Sequence, residues 1–457
     1  MNRREPLIRA DDLGAPLAWR GGVAISRAQY LADVDALAER LPAAGPMLNL
    51  TGDRYRFAVG LGAALRRGQN NLMPPNHTPD TVARLRTLFP STYALVDGEA
   101  PGWDLPQIRH GDTAPVDLDR PVPTIAADAL AAQVLTSGST GAPVPHAKHW
   151  GGLVTNTRAG VQRLAEQMGR ETLAGVTVVA TVPAQHMYGF ESTVLVALLG
   201  GAAFDTERPF YPADIAAALA RAPRPRLLVT TPFHLKMLLD AQLALPSVDL
   251  TVCATAPLSP QLAQRAEAQL DGPLMEIYGC TEAGQVATRR PTAGAEWRTY
   301  QGLVLSGDGA ESVVQGGHVP QPTMLADVLE VVDAQTFRLL GRSNDLINIA
   351  GKRSSLGHLN YHLNSIDGVQ DGAFWLPPEA GDGSVVRLVA FVVAADGVAA
   401  PTLHERVLAA LRTRVDAAFL PRRLVAVAAL PREPGTGKLP AGAFAAWAAR
   451  TLAGARG

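Results

Sequence analysis

Short apolar runs alternate with stretches of helical periodicity over most of the chain. The apolar runs are residues 177–182, 226–231, 250–254 and 274–278, and the clearest helical stretches are residues 212–221 and 260–270. Continuous apolar runs are typical of parallel strands that are covered on both faces, and a period of about 3.6 residues is typical of amphipathic helices. The pattern predicts an α/β fold from about Met47 to Gly279, with helices flanking the sheets.

The pattern changes in the later part of the chain. Residues 294–319 are rich in glycine and irregular, and residues 328–332 and 336–340 then predict a hairpin. From Arg342 the pattern restarts, with strands predicted at 372–376, 385–393 and 423–427 and a helix at about 403–419. We therefore predict an α/β protein with a large N-terminal domain of stacked α/β subdomains (1–341) and a small, mobile α+β C-terminal domain (342–457).

Composition excludes several classes of protein. A chain of 457 residues with 47% hydrophobic content can form two or three packed units. Its net charge of −1 favours neither nucleic acid nor an anionic membrane as a partner. We expect a cytoplasmic protein, because no apolar run is long enough to span a bilayer and no signal-peptide pattern is present. The two cysteines, Cys253 and Cys280, provide neither a disulfide framework nor a zinc site.

A segment of hydroxyl side chains and glycines follows the apolar run 131–135. It consists of Thr136, Ser137, Gly138, Ser139, Thr140 and Gly141. Glycine lets the backbone approach an oxyanion, and hydroxyl and backbone N–H groups supply hydrogen-bond donors. The segment predicts a loop at a strand end that binds the phosphates of ATP. Taken alone, a turn rich in hydroxyl groups is more often an ordinary surface loop.

Three further segments follow this loop along the chain. They are Glu-Ile-Tyr-Gly-Cys-Thr-Glu at 276–282, Leu-Gly-Arg-Ser-Asn-Asp at 340–345 and Leu-Pro-Arg-Glu-Pro-Gly-Thr-Gly-Lys at 430–438. Together the four segments resemble the adenylate-forming superfamily, which includes acyl-CoA synthetases, adenylation domains of nonribosomal peptide synthetases and luciferases. The resemblance implies that a carboxylic acid reacts with ATP, assisted by Mg²⁺, to give acyl-AMP, and that the acyl group then passes to a thiol.

The resemblance also implies the charged groups of this reaction. Attack at phosphorus builds negative charge on oxygen atoms, so the site needs cations and donors. Lys438, one of only four lysines among 41 basic residues, would bridge the acyl carboxylate and the phosphate as a catalytic residue. Glu282 would bind Mg²⁺, and Thr281 would contact the α-phosphate. Alternatively, Lys438 is a solvated surface lysine, and Glu282 is a carboxylate that stabilises a helix N-terminus.

The same resemblance implies a nucleotide pocket and a hinge. Tyr278 would lie against the adenine, Asp327 and Arg342 would hold the ribose hydroxyls, and Asn344 would be the pivot between the domains. The remaining residues implied for the nucleotide pocket are Ala254, Thr255, Ala256 and Gly279. Asp327 follows Leu-Ala, where the family usually has Thr-Gly.

The phosphate loop departs from the family pattern Gly-x-Pro-Lys. Here Pro143 is followed by Val144, and the next lysine is Lys148. Either Lys148 replaces the usual lysine or pyrophosphate binding relies on the hydroxyl groups. The departure also leaves open a non-catalytic nucleotide-binding relative.

Aromatic and soft side chains are concentrated where the family binds its acid. We predict contacts to the substrate from His186, Met187, Tyr188, Phe190 and Phe233, with His186 close to the acyl carboxylate in a catalytic role or, alternatively, buried for structural reasons. This composition suits a small apolar or aromatic acid. The string His-Met-Tyr-Gly resembles ligases of aryl-polyene and xanthomonadin-type pigment clusters. That resemblance implies a hydroxybenzoate-type acid, an acyl carrier protein in trans as acceptor, and CoA as the alternative.

Overall fold

The computed structural model describes residues 3–98, 102–111, 115–137, 143–307, 311–342, 346–349, 352–378, 387–395, 397–432 and 439–454. The strands are β1 (Arg4–Pro6), β2 (Pro16–Arg20), β3 (Val23–Ser26), β4 (Met47–Asn49), β5 (Asn71–Met73), β6 (Tyr93–Val96), β7 (Gln107–Arg109), β8 (Thr124–Ala126), β9 (Leu130–Ser137), β10 (Pro143–His149), β11 (Thr177–Ala180), β12 (Ala203–Asp205), β13 (Arg226–Thr230), β14 (Leu250–Cys253), β15 (Leu274–Cys280), β16 (Gly284–Arg289), β17 (Glu296–Thr299), β18 (Leu303–Gly307), β19 (Ser312–Gly316), β20 (Val319–Leu325), β21 (Asp327–Val331), β22 (Thr336–Arg342), β23 (Leu346–Ile349), β24 (Lys352–Ser355), β25 (Val369–Trp375), β26 (Val389–Ala394) and β27 (Arg423–Ala426).

The helices are α1 (Arg27–Ala38), α2 (Arg54–Arg66), α3 (Pro79–Leu88), α4 (Trp150–Gln167), α5 (Met187–Gly189), α6 (Val196–Gly200), α7 (Pro212–Arg221), α8 (Pro232–Asp240), α9 (Pro260–Leu270), α10 (Leu356–Asn364), α11 (Ala400–Arg414) and α12 (Ala441–Gly454). A π-helical segment, Phe190–Leu195, joins α5 to α6, and a 3-10 turn, Ala417–Phe419, follows α11.

An eleven-stranded sheet forms the centre of the molecule, in the order β21-β22-β17-β16-β15-β14-β13-β11-β12-β2-β3. The six strands β15, β14, β13, β11, β12 and β2 run parallel to one another, and the outer neighbours β16 and β3 pair antiparallel with them. This arrangement confirms the parallel strands predicted from the continuous apolar runs. The carboxyl ends of β13, β14 and β15 meet at one edge, because Thr230 pairs with Cys253 and Cys253 pairs with Glu276.

Helices cover both faces of this sheet. On one face, α7 and α9 bury apolar residues such as Leu219 and Leu270 against Val179 and Leu228. On the other face, α4 packs over the alternate positions of the same strands. The α9 helix begins at Pro260. The side chain of the preceding residue, Ser259, accepts a hydrogen bond from the Leu262 N–H, which would otherwise have no partner in the first turn. Both helices have the bounds predicted from periodicity.

A second, six-stranded sheet has the order β10-β9-β5-β4-β6-β7. The apolar run 131–135 lies in β9, which pairs antiparallel with β10. The predicted phosphate loop therefore begins at a strand end, as expected. Thr136 and Ser137 are the last two residues of β9, while Gly138, Ser139, Thr140 and Gly141 lie outside the described residues.

The segment predicted to be irregular, residues 294–319, is largely sheet. It contains β17, β18, β19 and the start of β20, and β18-β19-β20 form a three-stranded antiparallel sheet. The irregular prediction was wrong because the glycines lie at the turns: a Cβ on Gly316 would stand 2.3 Å from the Gly302 carbonyl oxygen. The hairpin predicted at 328–340 is confirmed by β21 and β22, whose turn is held by Asp333.

The chain beyond Arg342 contains a three-stranded sheet, β25-β26-β27, with α10, α11 and α12. The helix predicted at 403–419 ends at Arg414, because Val415 is extended and a 3-10 turn follows. The Gln261 side chain donates to the Ser365 carbonyl, so this part contacts the preceding part of the chain. The boundary at 341/342 stays a prediction. None of the described helices is both long and apolar enough to cross a membrane.

Candidate active site

The chain that follows β14 is strained at the carboxyl edge of the central sheet. Ala254 is buried, whereas Thr255 and Ala256 are exposed. Thr255 has φ +82°, in the left-handed region that β-branched residues rarely adopt. Strained backbone is typical of ligand sites, where the surrounding structure maintains it. This is the segment predicted to form a wall of the nucleotide pocket.

Tyr278 and Asp327, two residues predicted to bind the nucleotide, are in direct contact. The Tyr278 hydroxyl donates to Asp327 Oδ2 at 2.8 Å. The Tyr278 ring packs edge-on against Trp297 and Phe337, with centroid distances of 5.8 and 5.6 Å. Asp327 also pairs in register with Arg342 across the hairpin. The fold therefore brings three of the predicted nucleotide-binding positions together.

A tight turn carries Glu282 at the same edge. A Cβ on Gly279 would lie 2.5 Å from the Gly284 carbonyl oxygen, and Gly284 has φ +77°, so both glycines are needed for the close return of the chain. Between them, the Thr281 side chain is half-buried and the Glu282 side chain is 48% exposed. The predicted phosphate and metal positions therefore lie side by side on a rigid turn.

Two potential cations of β10 face this turn. His146 Nε2 lies 3.9 Å from Glu282 Oε1, and Lys148 Nζ donates to the Glu282 carbonyl oxygen at 3.1 Å. These residues share one face of β10 with Val144, because side chains alternate along a strand. Burial lowers the pKa of Lys148, and the carboxylates of Glu191 and Glu282 act in the opposite direction. The fold therefore places a lysine at Glu282 although Val144 occupies the usual lysine position.

A second carboxylate, Glu191, lies buried beneath the turn. Its Oε1 accepts a hydrogen bond from Asn156 Nδ2 at 2.5 Å. Burial raises the pKa of Glu191 to about 7, although Lys148 and Asn156 favour the charged form. A Cβ on Gly284 would stand 3.0 Å from Glu191 Oε1 and 3.1 Å from Asn156 Nδ2. The buried pair therefore packs directly under the turn that carries Glu282.

Several residues predicted to contact the acid have structural contacts. The Tyr188 hydroxyl lies 3.1 Å from the Thr230 carbonyl oxygen and 3.0 Å from that of Val252. Phe190 is fully buried, with its ring edge-on to Phe57. The remaining predicted contacts lie as follows: His186 is exposed and accepts from the Tyr188 N–H, Met187 is buried, and Phe233 is half-buried on α8. Their contacts with the acid stay predictions.

Two further predicted residues, Lys438 and Asn344, lie outside the described residues. The catalytic and hinge roles of these residues therefore stay predictions.

A small cavity was not predicted from the sequence. Its volume is about 10 Å³, and it lies between α4, the π-helical segment and the central sheet. Its polar wall is formed by Asn156, Glu191, Ser192, Gln285 and Tyr300. These residues come from four distant segments, so no local motif could have identified them. The one available signal was Glu191, an acidic residue within an otherwise apolar stretch.

Comparison with known proteins agrees with this geometry. The family model for the AMP-binding enzyme matches residues 18–323. A 4-coumarate–CoA ligase from Rhodobacter capsulatus is 31% identical over 342 residues, which cover 74% of this chain and 80% of that protein. ATP-bound MatB from Rhodopseudomonas palustris superposes with a TM-score of 0.74 at 18% identity, covering 96% of each chain. The anthranilate CoA ligase AuaEII gives 0.74 at 14% identity, covering 99% of each chain.

The shared architecture and the arrangement at the sheet edge define an adenylate-forming enzyme, which confirms the α/β fold class. The chain belongs to the AMP-binding enzyme family. It is an acid–thiol ligase, the class predicted from the four sequence segments.

Proposed function

We propose that the protein activates a small aromatic acid of the hydroxybenzoate type and transfers it to the phosphopantetheine thiol of an acyl carrier protein. A carboxylate oxygen attacks the α-phosphorus of ATP, the bond to pyrophosphate breaks, and acyl-AMP forms. The thiol sulfur then attacks the acyl carbon, AMP leaves, and the thiol proton is released. One observation carries the proposal: the Tyr278–Asp327 pair, the Glu282 turn and Lys148 share one edge of the central sheet.

The charges at this edge suit the first step. Negative charge grows on the phosphate oxygens during attack, and preorganised cations stabilise it. Lys148 supplies one cation next to the turn. Lys438 would supply a second one between the acid and the phosphate, in the role that the family resemblance implies.

Glu282 fits a magnesium ligand. Mg²⁺ is usually held by one or two carboxylates together with water and substrate phosphates. The Glu282 side chain is 48% exposed, and the described part of the chain contains no group of three or more His, Cys, Asp or Glu that could hold a metal by itself. A single exposed carboxylate beside the predicted phosphate position suits Mg²⁺, which takes its other ligands from water and substrate. The bound ion would neutralise phosphate charge.

The proposed acid and the proposed thiol acceptor are supported by different observations. An aromatic acid is supported by the aromatic and soft composition of the 184–191 segment and by the similarity to a 4-coumarate–CoA ligase. The carrier protein is supported by the closer sequence resemblance, whereas the name of that relative favours CoA. Free CoA is therefore the second candidate acceptor.

Pyrophosphate release over a panel of acids tests the activation step. We expect release with hydroxybenzoates and little with aliphatic or amino acids. ATP binding without release for any acid would instead favour a non-catalytic relative. Acyl transfer to a holo carrier protein should exceed transfer to CoA, and efficient CoA turnover without carrier loading would reverse the choice of acceptor.

A further inference from the structure

The cavity of about 10 Å³ lies directly below the carboxyl edge of the central sheet, where the residues predicted to bind the nucleotide are found. Its floor includes Val229, Val252 and Ile277, each of which lies one residue before Thr230, Cys253 or Tyr278 at that edge. A strand rises about 3.3 Å per residue, so the cavity lies roughly 3–7 Å inside the sheet edge. An acid whose carboxylate reaches the edge and whose ring points inwards would place a ring substituent at this depth.

The polar groups of the cavity are incompletely paired. Glu191, Asn156 and Tyr300 are 4%, 3% and 1% exposed. One oxygen of Glu191 accepts from Asn156, but Asn156 Oδ1 and the Tyr300 hydroxyl are buried and have no hydrogen-bonding partner among the residues that the structure describes. Buried polar groups are nearly always paired, so these atoms require a ligand or a water molecule.

The surroundings hold these groups in place. Gln285 Nε2 donates to Ser192 Oγ at 3.0 Å on the adjacent wall. The Arg163 guanidinium lies over the Tyr300 ring, 5.6 Å from its centroid. These contacts restrain Gln285, Ser192 and the Tyr300 ring, and a restrained polar wall favours selective recognition.

The cavity also has a defined size and hydrogen-bonding character. A volume of about 10–15 Å³ holds one water-sized group, which matches a hydroxyl or an amino group. Within the described part of the chain, Asn156 Oδ1 is an unpaired acceptor next to Glu191, so the group that completes it must donate a hydrogen bond. A methyl group or an unsubstituted ring would leave Asn156 Oδ1 unpaired.

We infer that this cavity is the specificity pocket for a hydrogen-bond-donating ring substituent, which is bound by Glu191, Asn156 and Tyr300. The inference rests on the proposed function, because it assumes that an aromatic acid is the substrate. It narrows the substrate class to aromatic acids that carry a hydroxyl or an amino group away from the carboxylate. The chain thus selects its acid through three buried polar side chains that belong to three separate segments.

Matched acids test the inference. The kcat/KM for pyrophosphate release is compared for 3-hydroxybenzoate, 4-hydroxybenzoate and 3-aminobenzoate against benzoate and 3-methylbenzoate. We expect the best donor-bearing acid to exceed benzoate by about tenfold or more, since a hydrogen bond to a buried charged group contributes about that factor. Separate hydroxyl and amino arms identify the group that the pocket prefers.

Two variants assign the effect to the cavity. Tyr300→Phe and Glu191→Gln should each lower the ratio of the preferred acid to benzoate by about tenfold. Tyr300→Phe removes one atom that has no described partner, so it tests the pocket even if Glu191→Gln fails to fold. Tyr211→Phe is the matched control, because Tyr211 is 66% exposed, and it should leave the ratio unchanged.

The outcomes separate this inference from the proposed function. Equal kcat/KM for hydroxybenzoates and benzoate, or a preference that survives in both variants, would overturn the inference and leave aromatic acid activation intact. Absence of acid-dependent pyrophosphate release would overturn the proposed function. In that case, calorimetric titration with 4-hydroxybenzoate and benzoate still tests the cavity, since equal affinities would refute it.

Discussion

Glu282 and Glu191 lie on opposite sides of one turn and differ in almost every physical property. The Glu282 side chain is 48% exposed and faces His146, whereas Glu191 is buried and bound to Asn156. Burial raises the pKa of Glu191 to about 7, while Lys148 favours its charged form. The environment therefore separates two side chains of the same type: one carboxylate is open to solvent, and burial raises the pKa of the other.

The largest effect is expected from removing Lys438, the predicted catalytic cation, which is neither of the two glutamates nor one of their described neighbours. Lys438→Ala should lower acyl-AMP formation by about 10²–10³-fold, because it removes a charge that stabilises the transition state. The rate is measured by acid-dependent pyrophosphate release, with the thermal midpoint as a check of folding. Lys236→Ala is the matched control, because Lys236 pairs with Asp240 on the surface. Near-normal adenylation by the Lys438 variant would show that the edge around Glu282 suffices.

The next effect concerns the contribution of the buried Glu191 carboxylate to the unfolding free energy of the protein. The pKa of Glu191 is raised from 4.5 to about 7, so the folded protein binds this proton more tightly than the unfolded chain. Its stabilising contribution is complete below pH 4.5 and is lost as the pH rises through 7. Relative to Glu191→Gln, the wild type should lose on the order of 3 kcal/mol of unfolding free energy between about pH 5 and pH 8.

Urea unfolding of both proteins at the two pH values measures this difference. A constant difference between wild type and Glu191→Gln would show that Glu191 titrates normally. Glu191 and Glu282 would then differ in burial, but burial would not shift the pH at which Glu191 loses its proton.

A smaller effect is expected at the exposed glutamate. Glu282→Gln should raise the Mg²⁺ concentration for half-maximal activity by about tenfold, because a neutral amide is a weaker ligand for a hard cation. Pyrophosphate release at a series of Mg²⁺ concentrations measures the shift. Glu296→Gln is the control, since Glu296 is an exposed partner of Arg338. An unchanged Mg²⁺ dependence would remove the metal role from Glu282.

The smallest effect is expected at the nucleotide side of the edge. Tyr278→Phe removes the hydrogen bond to Asp327, and the KM for ATP should rise by about fivefold, as for the loss of about 1 kcal/mol. Tyr93→Phe is the control, because it removes a buried hydrogen bond to Gln69 away from the edge. A KM for ATP that is equally affected by both variants would indicate a general effect of stability.

The sheet edge around Glu282 and the polar wall around Glu191 differ in how far the sequence predicts them. The edge was predictable because each of its parts is a short local motif at the end of an apolar strand, such as 276–282 after β15. The pairing of Tyr278 with Asp327, 49 residues apart, follows only from the packing of the hairpin β21–β22. The strands within 294–319 were missed because glycines at their turns obscured the alternation. The polar wall was missed because its members are distant along the chain.

Local patterns in the sequence suffice to predict the parallel core, the bounds of α7 and α9, the hairpin at 328–340 and the family of the enzyme. These depend on local periodicity and on motifs whose residues are neighbours in the chain. Only the tertiary structure brought Lys148 to Glu282 and enclosed Glu191 with Asn156 and Tyr300. Burial and proximity between distant segments fix which polar groups lose water and which find partners, and no local pattern encodes that outcome.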